Sequence, residues 1–551
     1  MDETASYPPI EPSNFDLIVV GTGLPEAILA AAASAAGKSV LHLDPNPSYG
    51  SHYASLPLQE FTSYIESQSS DSSPISRPDT DSGYTRVGIA TRPMYSSVEI
   101  TSYSAEPLEQ SRKFNIDLSG PRVLMCADAM IDLILKSEVN QYMEFKGIDG
   151  SFISDGEGNL ENVPDSRSAI FKDRKLSFTE KNQLMRFFKL VQGHLEAAAA
   201  GGGGEQSSES RSISEQDLES PFSEFLSKMG LSPKLKSIVL YAIAMADYDQ
   251  ENRDVGKSVL KTKDGIDRLA LYHSSVGRFP NAPGAMIYPI YGQGELPQAF
   301  CRRAAVKGCI YVLRMPVNSL LMDKASGSCK GVCLASEQEL FSHKLILAPS
   351  FAVQSPFPHS SPDTRDFRLR NTTEKLARSI CISKHSLKLD VANCLIFFPP
   401  RSLFPEQVAA IHVLQLSSNV AVCPSGMFLT YLSAICEDDD QGKKLLHAAI
   451  NVLFQAPVSG SSANNNSAEN QSETGDARPA LLWSVLYTQE LAKQFQDVLD
   501  NIICTPMPDG SPYYHDLLGA TEKIFQELYS GEEFFPKSTS SEEGAGQELE
   551  D

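Results

Sequence analysis

Residues 15–26, Phe-Asp-Leu-Ile-Val-Val-Gly-Thr-Gly-Leu-Pro-Glu, constrain the fold of this chain more than any other stretch. The apolar run Leu17–Val20 suits a strand buried on both faces, and Gly21 and Gly23 suit the tight turn that follows it. The Ala-rich segment Ala27–Ala36 suits a crossover helix. A second strand, Ser39–Leu43, leads into Asp44, 23 residues after Gly21. An acid about 20 residues on binds the cofactor ribose in dinucleotide folds. The pattern predicts an α/β fold of Rossmann type. Its third glycine normally permits close helix–strand packing beside a pyrophosphate. Here that position is Glu26, which sets bulk and negative charge where a dianion would lie. Gly21, Gly23, Glu26 and Asp44 therefore read as a vestigial nucleotide-binding loop, and no cofactor is expected.

The chain has 551 residues, enough for more than one structural unit. Its net charge of −22 predicts repulsion from nucleic acid and anionic membrane, and partners with basic or neutral surfaces. Part of the excess is local: Ser541–Asp551 carries five carboxylates and no base. Ten cysteines without a Cys-x-x-Cys pair argue for reduced thiols and against zinc or a disulfide framework. With no signal-peptide pattern, membrane-length apolar run or prenylation box, a cytosolic protein is expected.

Residues 67–112, 197–216 and 457–477 are rich in small and polar residues and read as flexible insertions. Apolar spacing predicts a helix within Phe114–Gly147. A second is predicted over Leu176–Leu195, with Ser177 and Glu180 at capping-box spacing. Two more fall within Phe222–Met245, divided by Gly230 and Pro233. The resulting organisation is 1–120 as the Rossmann-like part of domain I, 121–250 as a helical domain II, 251–540 as the remainder of domain I, and 541–551 as an acidic disordered tail. Strand-like runs are Cys309–Leu313, Lys344–Ala348, Ser386–Leu389, Cys394–Phe398 and Phe428–Ala434.

The chain has no P-loop, Gly-x-Ser-x-Gly or His-Glu-x-x-His pattern, and its ten His residues lack metal-ligand spacing. Two segments are distinctive. After Asp44, Pro45 and Pro47 stiffen a loop that carries Tyr49, which either packs under that loop or serves as a contact anchor. Gly277–Val317 is set by Pro and Gly and leads into a helix near Pro297. Its charges Arg278, Glu295 and Arg302 are either structural ion pairs or contact residues.

Together these blocks resemble the superfamily of Rab GDP-dissociation inhibitors and Rab escort proteins. The resemblance rests on Gly-Thr-Gly-Leu-x-Glu within Phe15–Leu56, on Phe114–Phe145, on Tyr291-Gly-Gln-Gly-Glu-Leu-Pro-Gln within Gly277–Val317, and on Leu376–Phe398, with weaker similarity over Leu481–Pro536. Gln293 and Cys301 resemble the escort branch, in a plant-like form. The resemblance implies a GDI-like multisheet fold, similar to FAD/NAD(P)-binding enzymes but without a required flavin, plus a smaller all-helical domain II. It implies a non-catalytic accessory subunit (component A) that binds unprenylated GDP-bound Rab GTPases and presents them to the αβ dimer of Rab geranylgeranyltransferase. The subunit would then cover the geranylgeranyl chain and deliver the Rab transiently to a membrane. The implied Rab platform is Tyr49, Arg278, Glu295, Arg302 and Val312. The implied transferase contact is Phe187 or Phe188, although both could equally fill the helical core. The alternatives are a recycling GDP-dissociation inhibitor and, in another class, a flavin oxidoreductase.

Overall fold

The computed structural model of the protein describes residues 8–69, 83–104, 108, 110–199, 212–252, 259–353, 374–455, 478–491 and 501–536. A five-stranded sheet lies at its centre, in the order Ile310–Leu313, Val40–Asp44, Leu17–Val20, Leu345–Leu347, Ile502–Cys504. Every pairing is parallel, with Val19 opposite His42 and Ile346. All four residues of Leu17–Val20 are buried, as the uninterrupted apolar run requires. The crossover helix Leu24–Ala35 begins three residues earlier than its alanines suggested, with Gly23 as N-cap and Pro25 in its first turn, where the missing N–H costs nothing. Its buried alanines let it pack closely against the helix Glu295–Val306, which presents Ala299, Phe300 and Ala304.

A six-stranded sheet shares a core cluster with this centre, and an eight-stranded mixed sheet has cores of its own. They correct the reading of 67–112 as an insertion. Tyr84–Thr91 pairs with Val317–Asp323 and Phe351–Val353 inside the six-stranded sheet, and Tyr95–Ser102 forms an edge of the eight-stranded one against Leu481–Glu490. Most positions of both strands are only half-buried, which suits their mixed polar and apolar composition.

The helical unit also departs from the expected 121–250. Residues 124–162 contribute four strands to the sheets, and the helix Ala129–Lys136 packs beside His515–Leu528. The helices that pack on one another are Arg167–Lys172, Phe178–Ala199, Glu215–Glu219, Phe222–Lys228, Pro233–Ser237 with the π-helical turn Ile238–Ile243, and Thr262–Ser275. The capping box forms as the spacing predicts: Ser177 N donates to Glu180 Oε2 at 2.9 Å, and Glu180 N to Ser177 Oγ at 3.3 Å. Residues 386–389 form a turn rather than a strand. The stretch 457–477 and the tail 541–551 fall outside the described residues, as does most of 197–216.

Candidate partner-binding groove

The vestigial loop is filled by the chain itself. Gly21 turns at φ +102°, and a Cβ there would lie 2.4 Å from that of Ala348. A Cβ on Gly23 would lie 2.4 Å from Glu26 Oε2, so the Glu26 carboxylate occupies the space against the backbone that a pyrophosphate would need. Glu26 is 1% exposed and accepts a hydrogen bond from the Thr505 hydroxyl; burial raises its pKa to about 7. Asp44, the ribose-binding position, is equally committed. Its carboxylate accepts Thr22 N at 2.8 Å, Thr22 Oγ1 at 2.6 Å, Ser51 Oγ at 3.0 Å, and both Asn46 N and Nδ2 at 2.8 Å. Burial raises its pKa while these donors oppose the rise. Neither residue fits a dinucleotide.

The same bonds fix the loop that carries Tyr49. Asn46 is tied to Asp44, while Gly50, at φ +105°, donates to Thr22 O at 3.1 Å and Thr22 Oγ1 at 3.0 Å. Tyr49 then meets Tyr311 edge to face, ring centroids 5.8 Å apart. The two tyrosines border a groove of about 430 Å³ shared with Tyr142, Glu295, Gln298 and Arg302. The Arg302 guanidinium lies 4.7 Å from the Tyr142 ring centroid. Cys301 and Cys309 line it too, beside Tyr311; burial pushes both thiols up, Cys309 to about 12, which leaves them protonated.

Glu295 is aimed by a buried latch. Ser55 Oγ and Gln293 N both donate to Asp117 Oδ1, at 2.5 and 3.0 Å, and Gly294 N donates to Ser55 Oγ at 2.7 Å. A Cβ on Gly294 would come within 2.5 Å of Ser55 N, which explains the second glycine of the Gly-Gln-Gly-Glu block. Gln293 is itself internal: its Nε2 donates to Arg122 O at 2.9 Å, and its Oε1 accepts from the Tyr514 hydroxyl at 2.6 Å. Glu295 is half-buried at the start of its helix, and burial raises its pKa.

Three of the five residues expected at a Rab platform therefore meet at one groove. Arg278 does not line it; its guanidinium donates to Cys126 O at 2.9 Å and to Asp132 Oδ1 at 2.8 Å. Val312 is also excluded, because side chains alternate along a strand: Tyr311 enters the groove, and Val312 packs with a separate core cluster. Tyr142 and Tyr311 also line the groove without a sequence pattern that singles them out; Tyr311 is marked only by its place next to Val312.

Phe187 is 2% exposed in the core of the helical unit, so it is no surface anchor. Phe188, half-buried with its ring 5.6 Å from that of Phe187, borders an apolar cavity of about 260 Å³ with Ile170, Val191, Leu269, Tyr272 and Val276.

A family model described as GDP dissociation inhibitor matches residues 11–78 and 82–462. The chain belongs to this family. Rab escort protein 1 of Arabidopsis thaliana is 52% identical over 100% of this chain and 99% of its own length. Rab proteins geranylgeranyltransferase component A 1 of Homo sapiens is 25% identical, over 97% of this chain and 93% of its own. The Rab GDP-dissociation inhibitor of Saccharomyces cerevisiae is 26% identical, over 78% and 81%. The crystal structure of Rab GDI from Plasmodium falciparum superposes with a TM-score of 0.64 at 19% identity, covering 94% of this chain and 99% of that one. The family fold is thus shared, with the nucleotide loop of this member closed by Glu26 and Asp44.

Proposed function

We propose that this family member is a Rab escort protein. It binds unprenylated, GDP-bound Rab, presents it to the geranylgeranyltransferase αβ dimer as a non-catalytic accessory subunit, and delivers the prenylated Rab to a membrane. The carrying observation is the 52% identity to the Arabidopsis escort protein along essentially the whole of both chains. Tyr49, Glu295 and Arg302, with Tyr142 and Tyr311, form the Rab contact in this reading. Preference for the GDP form would come from contact with switch segments that loosen without a γ-phosphate. The cavity beside Phe188 is the proposed place for the geranylgeranyl chain, each covered CH₂ contributing up to ~0.8 kcal/mol. Since Phe187 belongs to the core, contact with the transferase runs through other side chains. Ten unpaired cysteines accord with work in the cytosol. Among the described residues no helix is long and apolar enough to cross a membrane.

The test is a prenylation assay with unprenylated Rab, the αβ dimer and labelled geranylgeranyl diphosphate. Labelling that depends on this chain supports the escort reading. Labelling that proceeds equally without it, together with extraction of prenylated Rab-GDP from membranes, would make it a recycling inhibitor.

A further inference from the structure

One groove gathers cations on a chain whose net charge is −22. Where the helical unit meets the edge strand Leu160–Asn162, a cavity of about 450 Å³ is lined by Lys172, Arg174, Lys175, Lys234 and Lys388. Two acids share it, and both are engaged. Glu161 pairs with Lys234 at 2.9 Å. Asp173 Oδ1 accepts the backbone N–H groups of Lys175 and Leu176 at 2.7 and 3.2 Å. Lys172, Arg174, Lys175 and Lys388 make no ion pair among the described residues.

Exposed apolar side chains occur in the same segments of the chain. Leu389 and Phe178, 83% and 80% exposed, are the most exposed large hydrophobics among the described residues, and Phe171 is 64% exposed. Each adjoins a groove residue: Leu389 follows Lys388, Phe171 precedes Lys172, and Phe178 lies two positions after Leu176. Lys181 Nζ donates to Phe171 O at 2.9 Å, which ties the end of the Arg167–Lys172 helix to the first turn of Phe178–Ala199.

We propose that this face docks on an anionic phospholipid surface, its cations on headgroup phosphates and Phe171, Phe178 and Leu389 in the interfacial layer. The side-chain types favour lipid over protein. Hot spots between proteins are rich in Arg, Tyr and Trp and poor in Lys, whereas lysines beside Phe and Leu mark interfacial membrane contact. The overall negative charge does not prevent this, because screening confines electrostatics to about 8 Å and the local patch governs at contact. Ile170, which lines the apolar cavity, precedes Phe171 on the same helix. Docking would therefore bring that cavity to the bilayer; this last step rests on the escort reading, the docking itself does not.

The test is co-sedimentation of the full chain, without Rab, on phosphatidylcholine vesicles with and without about 30% phosphatidylserine. Binding is expected only to the anionic vesicles and should weaken steeply with salt. Lys172→Glu/Arg174→Glu/Lys175→Glu should lose about tenfold or more of it, and Phe178→Ala, which leaves the core untouched, severalfold. Equal binding to both vesicles, or binding that survives the charge reversal, overturns the proposal. So does a charge reversal that leaves vesicle binding intact but abolishes capture of the transferase αβ dimer, since the groove would then be a protein contact. The prenylation assay on the unaltered chain judges the escort reading separately.

Discussion

The Glu26 carboxylate accepts a hydrogen bond from the Thr505 hydroxyl, joining residues 479 positions apart. Thr505 follows Ile502–Cys504, the outer strand of the parallel sheet, and Glu26 lies in the first turn of the crossover helix. The acid that closes the nucleotide loop thus also clips the edge of the sheet to it. A glycine at position 26 would vacate the space in that loop but lose the clip, and Asp44 would remain engaged by its internal donors.

The burial of Glu26, which the Thr505 bond only partly offsets, should make stability depend on pH. Burial raises the Glu26 pKa to about 7 in the fold, above its ordinary value of 4.5. Between those values the folded chain holds a proton that the unfolded chain has released, so stability falls as pH rises through this window and is level on either side. The full excursion is about 3 kcal/mol. Urea unfolding of wild type and Glu26→Gln, compared from pH 4 to 8, should show this component in the wild type only. An identical pH slope in both proteins would assign the proton elsewhere.

Asp44 should act on partner binding from a distance. It does not line the groove, but its five accepted bonds hold Thr22, Asn46 and Ser51, the frame of the Tyr49 loop. Asp44→Ala leaves buried donors unpaired and is expected to cost about 3 kcal/mol of stability. It should also weaken Rab-GDP binding, measured by titration at a temperature where the variant remains folded. Weakened stability with unchanged affinity would show that Tyr49 needs no such frame.

How far the sequence foretold this arrangement depended on range. The strand–turn–helix from Leu17 to Ala35 and the capping box at Ser177 are set by neighbours in sequence, and both were legible. The strand Tyr84–Thr91 was not, because its partners lie more than 200 residues away and its half-buried side reads as polar filler. Adjacent residues posed the same difficulty at the sites. Phe187 and Phe188 are about 100° apart on one helix, and Tyr311 and Val312 point to opposite faces of one strand. Composition cannot say which of each pair faces inward; packing decides it. Gln293 and Cys301, the two residues that resemble the escort branch, are both buried; Gln293 braces the fold beneath the groove, and Cys301 reaches its lining.

The groove predicts a division among the platform residues. Arg302→Ala should reduce Rab-GDP affinity by about 2 kcal/mol, roughly thirtyfold, if the guanidinium over Tyr142 is an anchor. Tyr142→Ala should weaken binding in the same direction, because it removes the ring on which Arg302 rests. Arg278→Ala, which breaks an exposed pair with Asp132 outside the groove, should change affinity less than about threefold. Equal losses at Arg278 and Arg302 would extend the contact beyond the groove.

Filling the apolar cavity should separate lipid from protein recognition. Val276 borders the cavity at its half-buried rim, so a larger side chain there can occupy the space without displacing a fully buried core residue. Val276→Trp is expected to cut extraction of geranylgeranylated Rab from membranes by about tenfold, the value of roughly two CH₂ groups left uncovered. Affinity for unprenylated Rab-GDP should remain as in the wild type, because the groove of Tyr49 and Arg302 is a different cavity with no lining residue in common. Parallel loss of both activities would mean that the helical unit contributes to Rab contact directly. Undiminished extraction would place the lipid elsewhere on the chain.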